Sequence, residues 1–180
     1  MSRLFLLVYC CMFLCPSSAD AQSAFWNYDS SQVRKCIRKI AARIEKEGEI
    51  DDSAVGYELV RTPQFDRFVK LTQKARTREL VTLTGHRNPA VRCYAFHALV
   101  KRRYEGVQDI YSIHADDTEP VIFFQGCIGG EVPVVVFMCW MIYGQDWDSE
   151  CNKIISMSSR IPGSSTLLFS HCFFSNIYTP

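Results

Sequence analysis

The sequence predicts an all-α protein, a short α-solenoid or bundle of helical hairpins followed by an irregular C-terminal tail, on three observations. First, a segment of about thirty residues is nearly repeated. Glu79-Leu80-Val81-Thr82-Leu83 is answered by Asp109-Ile110-Tyr111-Ser112-Ile113, and Val91 by Val121. A unit repeated at this period cannot bury its apolar face alone and stacks on its copy. Second, apolar residues recur at three- and four-residue spacing from Asp29 onward, as in helices with one face on a core. Third, Asn88-Pro89 and Glu119-Pro120 interrupt the pattern at corresponding places, because proline disfavours helical backbone in the residue before it.

In chain order, Arg3 and the eleven-residue apolar run Leu4–Leu14, followed by Ala19-Asp20-Ala21, read as a signal peptide over residues 1–21, with cleavage near Ala21 and export to the periplasm or beyond. The run falls short of the ~20 residues needed to span a bilayer. Bulky Leu14 before Cys15 argues against a lipidation signal. Removal of the leader leaves Cys36, Cys93, Cys127, Cys139, Cys151 and Cys172. That even number permits disulfides in an oxidising compartment without fixing a pairing, and no C-x-x-C pair occurs.

The first helix follows Asp29, an N-cap with Gln32 at the capping-box position. Val33, Ile37, Ile40, Ala41 and Ile44 form its inward stripe, and Gly48 ends it. Arg34, Lys35, Arg38, Lys39, Arg43 and Lys46 share the other face. This face is either a solvated surface or a contact for an anionic membrane or an acidic partner. Residues 49–61 read as a connection with a short helix around Tyr57. Thr62-Pro63 opens a second helix, since proline's missing N–H is unpaired at the first helical position in any case, and Phe65, Phe68, Val69 and Leu71 face inward. A third helix spans 77–84. The fourth, 91–103, is apolar around most of its circumference, as a helix buried on several sides must be. A fifth covers 107–114, and Val121 restarts the pattern.

The stretch Glu79-Leu80-Val81-Thr82-Leu83-Thr84-Gly85-His86-Arg87-Asn88-Pro89-Ala90-Val91-Arg92-Cys93-Tyr94-Ala95-Phe96-His97-Ala98-Leu99 resembles one unit of the HEAT-repeat family: a short helix, a turn with Asn and Pro, then Val-Arg opening an alanine-rich helix. Residues 62–132 as a whole are similar to exported bacterial proteins of HEAT-like type. The resemblance implies a HEAT-like α-solenoid over 29–132, a protein-binding surface on its inner helices, and no catalytic residues. It also implies that Arg92 reaches a turn acid of the next unit, Asp116 or Asp117. The second unit departs from the pattern: Ile122 stands where the first has Arg92, and Gly126, Gly129 and Gly130 replace helix formers. Each glycine costs a helix interior roughly 1 kcal/mol, so this unit is irregular or the solenoid ends here.

Residues 133–180 hold only five charged residues and lack a steady period. They form an irregular apolar tail, and Val132–Ile142 at its start, interrupted by Pro133, reads as a buried strand or short helix. The abrupt change also admits a non-native continuation, a truncated or frame-altered product without function. The net charge of +1 with both signs abundant argues against a nucleic-acid partner. Glycine-rich phosphate loops, H-E-x-x-H and G-x-S-x-G are absent.

The expectation is therefore a non-catalytic protein–protein interaction module at the cell envelope, without cofactor or metal. Its candidate binding stripe is Arg92, Tyr94, His97 and Lys101 on the fourth helix. The plainer alternative places Tyr94 in the core and leaves His97 and Lys101 solvated. The competing class is a thiol enzyme or redox protein. Cys93 pairs with His97 four residues on, as nucleophiles and zinc ligands do, and Cys127 lies between glycines.

Overall fold

The computed structural model describes residues 28–144. The leader expected at 1–21, the tail beyond Gly144, and Cys151 and Cys172 lie outside the described residues. A 3₁₀ turn, Ser30–Gln32, precedes α1 (Lys35–Glu47) and β1 (Glu49–Val55). Four helices follow: α2 (Pro63–Lys74), α3 (Thr77–Thr84), α4 (Pro89–Lys101) and α5 (Val107–Ile113). Then come β2 (Pro120–Gly126), β3 (Ile128–Pro133) and α6 (Val134–Tyr143). The all-α solenoid expectation is overturned. Among the described residues, six helices accompany a three-stranded mixed sheet of order β1-β2-β3, which makes this an α/β fold.

The helices obey their local signals. Thr62 Oγ1 accepts the Phe65 N–H (3.1 Å) and Pro63 opens α2. Asn88 Oδ1 accepts the Val91 N–H (3.2 Å) and Pro89 opens α4. Gly48 ends α1 at φ 73°, a left-handed conformation that glycine adopts without a Cβ penalty. Asp29 caps the 3₁₀ turn through Ser31 N–H (2.9 Å) rather than α1 itself.

All three strands that replace expected helix or loop have physical causes. In β2, Val121 and Phe123 are buried while Pro120 and Ile122 are exposed, a period of two that no helix produces. The glycines that would burden a helix are at home in the β2–β3 hairpin. Gly126 takes φ 54° in the two-residue turn between paired Gln125 and Ile128, where the favoured hairpin turns require positive φ. Phe124 lies over its cross-strand partner Gly129 so closely that a Cβ there would sit 2.5 Å from the ring. β1 then runs parallel to β2, with Glu49 opposite Ile122 and Asp51 opposite Phe124. Parallel neighbours need a long crossover, here α2 to α5.

α4 is the central element. It contacts α1, α2, α3, β1, β2, α5 and α6, and Ala90, Cys93, Ala95, Phe96, Ala98 and Leu99 are fully buried. The core does not stop at residue 132. Val134, Met138 and Cys139 of α6 are fully buried, and α6 packs on α4. At the other end of α4, the Arg102 guanidinium donates to the Thr72 and Ala75 carbonyls, tying it to the end of α2. No helix among the described residues is long and apolar enough to cross a membrane.

Candidate functional site

The four residues expected on an exposed stripe of α4 occupy four different environments. Arg92 is fully buried. Its Nε and Nη2 donate to Asp117 Oδ2 (2.9 Å) and Oδ1 (3.0 Å), Nη2 also to Glu119 Oε2 (2.6 Å), and Nη1 to the carbonyls of His86 (2.8 Å) and Arg87 (2.9 Å). His114 Nδ1 lies 3.0 Å from the same Asp117 carboxylate. The bidentate fork matches carboxylate geometry as lysine could not. The network pins the α3–α4 turn, the end of α5 and the entry to β2 onto one buried cation. Of the two turn acids that the HEAT resemblance offered to Arg92, Asp117 is the one engaged.

Tyr94, also buried, closes the outer edge of β1. The Asp51 N–H donates to its hydroxyl (2.7 Å), which in turn donates to the Asp51 carbonyl (3.0 Å). Beside it, Gln64 Nε2 donates to the Glu49 carbonyl (2.7 Å). An edge strand covered in this way cannot template pairing with another chain. Burial pushes the Tyr94 phenol well above its ordinary pKa.

His97 is half-buried, its ring stacked on Phe68 at 4.6 Å between centroids and edge-on to Phe137 at 6.5 Å. Desolvation, with a smaller contribution from the Lys101 cation, pulls its pKa down to about 3, so it is neutral near pH 7. Lys101 is exposed. Arg92 and Tyr94 therefore act inside the protein, and the four side chains share no solvent-facing surface.

The thiols divide as sharply. Cys93 is free and fully buried, and burial drives its pKa well above the ordinary value. The reactive form of a cysteine is the thiolate, so Cys93 is suppressed as a nucleophile, and its neighbour His97 is committed to two aromatic rings. Cys127 is free and exposed at the tip of the β2–β3 hairpin. Cys36 is free and exposed on α1. Among the described residues no group of three or more His, Cys, Asp or Glu is placed to hold a metal ion.

A surface feature that the sequence pattern did not single out lies at the end of β1. Gly56–Val60 forms a knuckle closed by the Val55–Val60 bridge, with N···O distances of 3.0 and 2.9 Å, and is fastened to the hairpin by Gly56 N–H donating to the Gly126 carbonyl (2.8 Å). From it project Tyr57 (94% exposed), Leu59 (62%) and Val60 (52%). Leu59 is held at φ 49°, a left-handed conformation costly for a leucine. The signal available in the sequence was an apolar pair, Leu59-Val60, between Glu58 and Arg61, belonging to no helical stripe.

Comparison with protein-family models, with curated proteins and with solved structures finds no match to this chain.

Proposed function

We propose that the chain is a non-catalytic binding module that engages a protein partner through the Gly56–Val60 knuckle. The observation that carries this reading is three large apolar side chains on one short, backbone-fastened turn, with Tyr57 almost wholly in solvent. Tyrosine is enriched among the residues that dominate interface energy, and contiguous apolar exposure on a folded domain marks interaction sites. The strained Leu59 backbone fits a functional turn, since such strain persists where surrounding structure enforces it. The leader pattern of Arg3, Leu4–Leu14 and Ala19–Ala21 supports an exported protein working at the cell envelope.

A photo-crosslinking residue at position 57, with a control at exposed Glu105, tests the reading in cells. A partner captured from position 57 and not from 105, whose binding to purified protein weakens at least about tenfold in Tyr57→Ala/Leu59→Ala, supports it. The same capture from both positions refutes it. The thiol reading rests on Cys127 alone once Cys93 is seen to be sealed. It requires Cys127 to alkylate much faster than exposed Cys36 near neutral pH, and equal rates remove it.

A further inference from the structure

The charges of this protein are segregated in a way that its overall net charge conceals. Residues 34–47 and 61–87, which build α1 to α3 and the turn after them, hold thirteen Lys and Arg against four Asp and Glu. All four acids are already taken: Glu45 by Arg87, Glu47 by Arg67, Asp66 by Arg61, and Glu79 by Arg34. Nine cations remain without an ion pair among the described residues. Lys35, Lys39, Arg43 and Lys46 fall on one stripe of α1, spaced by four, four and three residues and opposite buried Ile37, Ala41 and Ile44. The stripe extends about 16 Å along the helix axis.

α2 widens the stripe. Arg67 of α2 pairs with Glu47 at the C-terminal end of α1, and Arg34 before α1 donates to the Lys74 carbonyl (2.7 Å) at the end of α2. The two helices therefore run antiparallel, and exposed Lys70 and Lys74 continue the row from Arg67. Among the described residues, the large exposed apolar side chains Tyr57, Leu59, Val60, Tyr104, Ile113, Ile122 and Tyr143 all lie outside α1, α2 and α3. This face thus lacks the apolar anchors of a specific protein interface, where lysine is depleted. Among the described residues it presents no fully exposed aromatic platform of the kind on which single-stranded bases stack: Phe65 of α2 is only partly exposed and lies under the Arg61 guanidinium. What remains is a broad cationic surface whose complement is a broad anionic one.

We propose that the α1–α2 face, through Lys35, Lys39, Arg43, Lys46, Lys70 and Lys74, docks the domain on an anionic phospholipid bilayer. The contact is electrostatic and peripheral, inserts nothing into the hydrocarbon, and is independent of the Gly56–Val60 knuckle. Each Lys or Arg near an anionic membrane surface strengthens binding roughly fivefold, and the attraction decays within a Debye length.

Co-sedimentation of the purified chain with vesicles of phosphatidylcholine alone, or with about 30% phosphatidylglycerol, tests this. The expected result is pelleting at least about tenfold stronger with phosphatidylglycerol, abolished by about 0.5 M salt. Lys35→Glu/Lys39→Glu/Lys74→Glu should lower the partition coefficient by roughly 100-fold or more at an unchanged melting temperature, while Lys101→Glu has little effect. If the glutamate variant melts early, the same three positions changed to glutamine should still weaken binding by about tenfold or more. Equal pelleting on both vesicles, or a triple variant that binds like the parent, overturns the proposal. Binding to duplex DNA or polyglutamate without pelleting on phosphatidylglycerol overturns it in favour of a polymeric anion.

Discussion

Replacing Arg92 with methionine removes the one buried cation that fastens three segments together. The Asp117 carboxylate loses two donors at 2.9 and 3.0 Å, and the His86 and Arg87 carbonyls lose theirs at 2.8 and 2.9 Å. The individual bonds are not additive. The governing effect is a carboxylate left at 3% exposure without its counterion, for which removal of one partner of a buried pair costs about 3–5 kcal/mol. Set against a total stability of about 5–15 kcal/mol, this should lower Tm by roughly 10–20 °C in a domain of this size. Urea unfolding followed by far-UV circular dichroism, on Arg92→Met, Asp117→Leu and the double variant, separates the pair from its surroundings. Because replacing both ions by apolar groups can be nearly neutral, the double variant should be more stable than Arg92→Met alone. The coupling energy should be at least about 2 kcal/mol. A single variant that costs under about 1 kcal/mol, or costs that simply add, would refute the assignment of Arg92 as the clasp.

Tyr94→Phe keeps the stacked ring on Phe68 but leaves the Asp51 N–H and carbonyl at the β1 edge without a partner. It should cost about 1–3 kcal/mol in urea unfolding, and a neutral result would show that water replaces the hydroxyl. Glu79 accepts from Arg34 and from the Arg76 N–H, and the Arg34 hydrogen bond above all lowers its pKa from 4.5 to about 2. The unfolded chain therefore takes up the proton first, so the stabilising contribution is complete above pH 4.5 and vanishes as pH falls toward 2. Wild type should melt above Glu79→Gln at pH 6, with the gap closing across that window; a gap independent of pH would contradict the ion pair. Gly129→Ala should destabilise by about 1–3 kcal/mol because its Cβ meets the Phe124 ring, and Phe124→Leu in the same chain should recover part of the loss.

The helical part of this protein was legible in its sequence because its signals are local. Thr62-Pro63, Asn88-Pro89 and Gly48 each act within a few residues of themselves, and α2, α4 and the end of α1 appear where they direct. The all-round apolar pattern of residues 91–103 announced a helix buried on several sides, which α4 is. Pairing between distant strands has no such local code. β1 is the acidic stretch Glu49–Val55, and it is a strand because β2, some seventy residues away, offers a parallel ladder while Tyr94 and Gln64 cover its other edge. The run Val121–Phe124 suits a strand or a buried helix equally well by composition. Only the hairpin geometry at Gly126 and the ring of Phe124 over Gly129 decided between them.

The same division governs the sites. Sequence alone determined which residue types were at hand: an arginine near the start of the fourth helix with acids downstream, a basic face on the first, and a tyrosine on a buried helix. Tertiary structure decided what each does, because burial and partner choice depend on contacts across the whole chain. Arg92 and Tyr94 were thus turned inward to hold a turn and a strand edge, while Lys35, Lys39, Arg43 and Lys46 face water opposite buried Ile37, Ala41 and Ile44, with Glu45, Glu47 and Glu79 already paired to arginines.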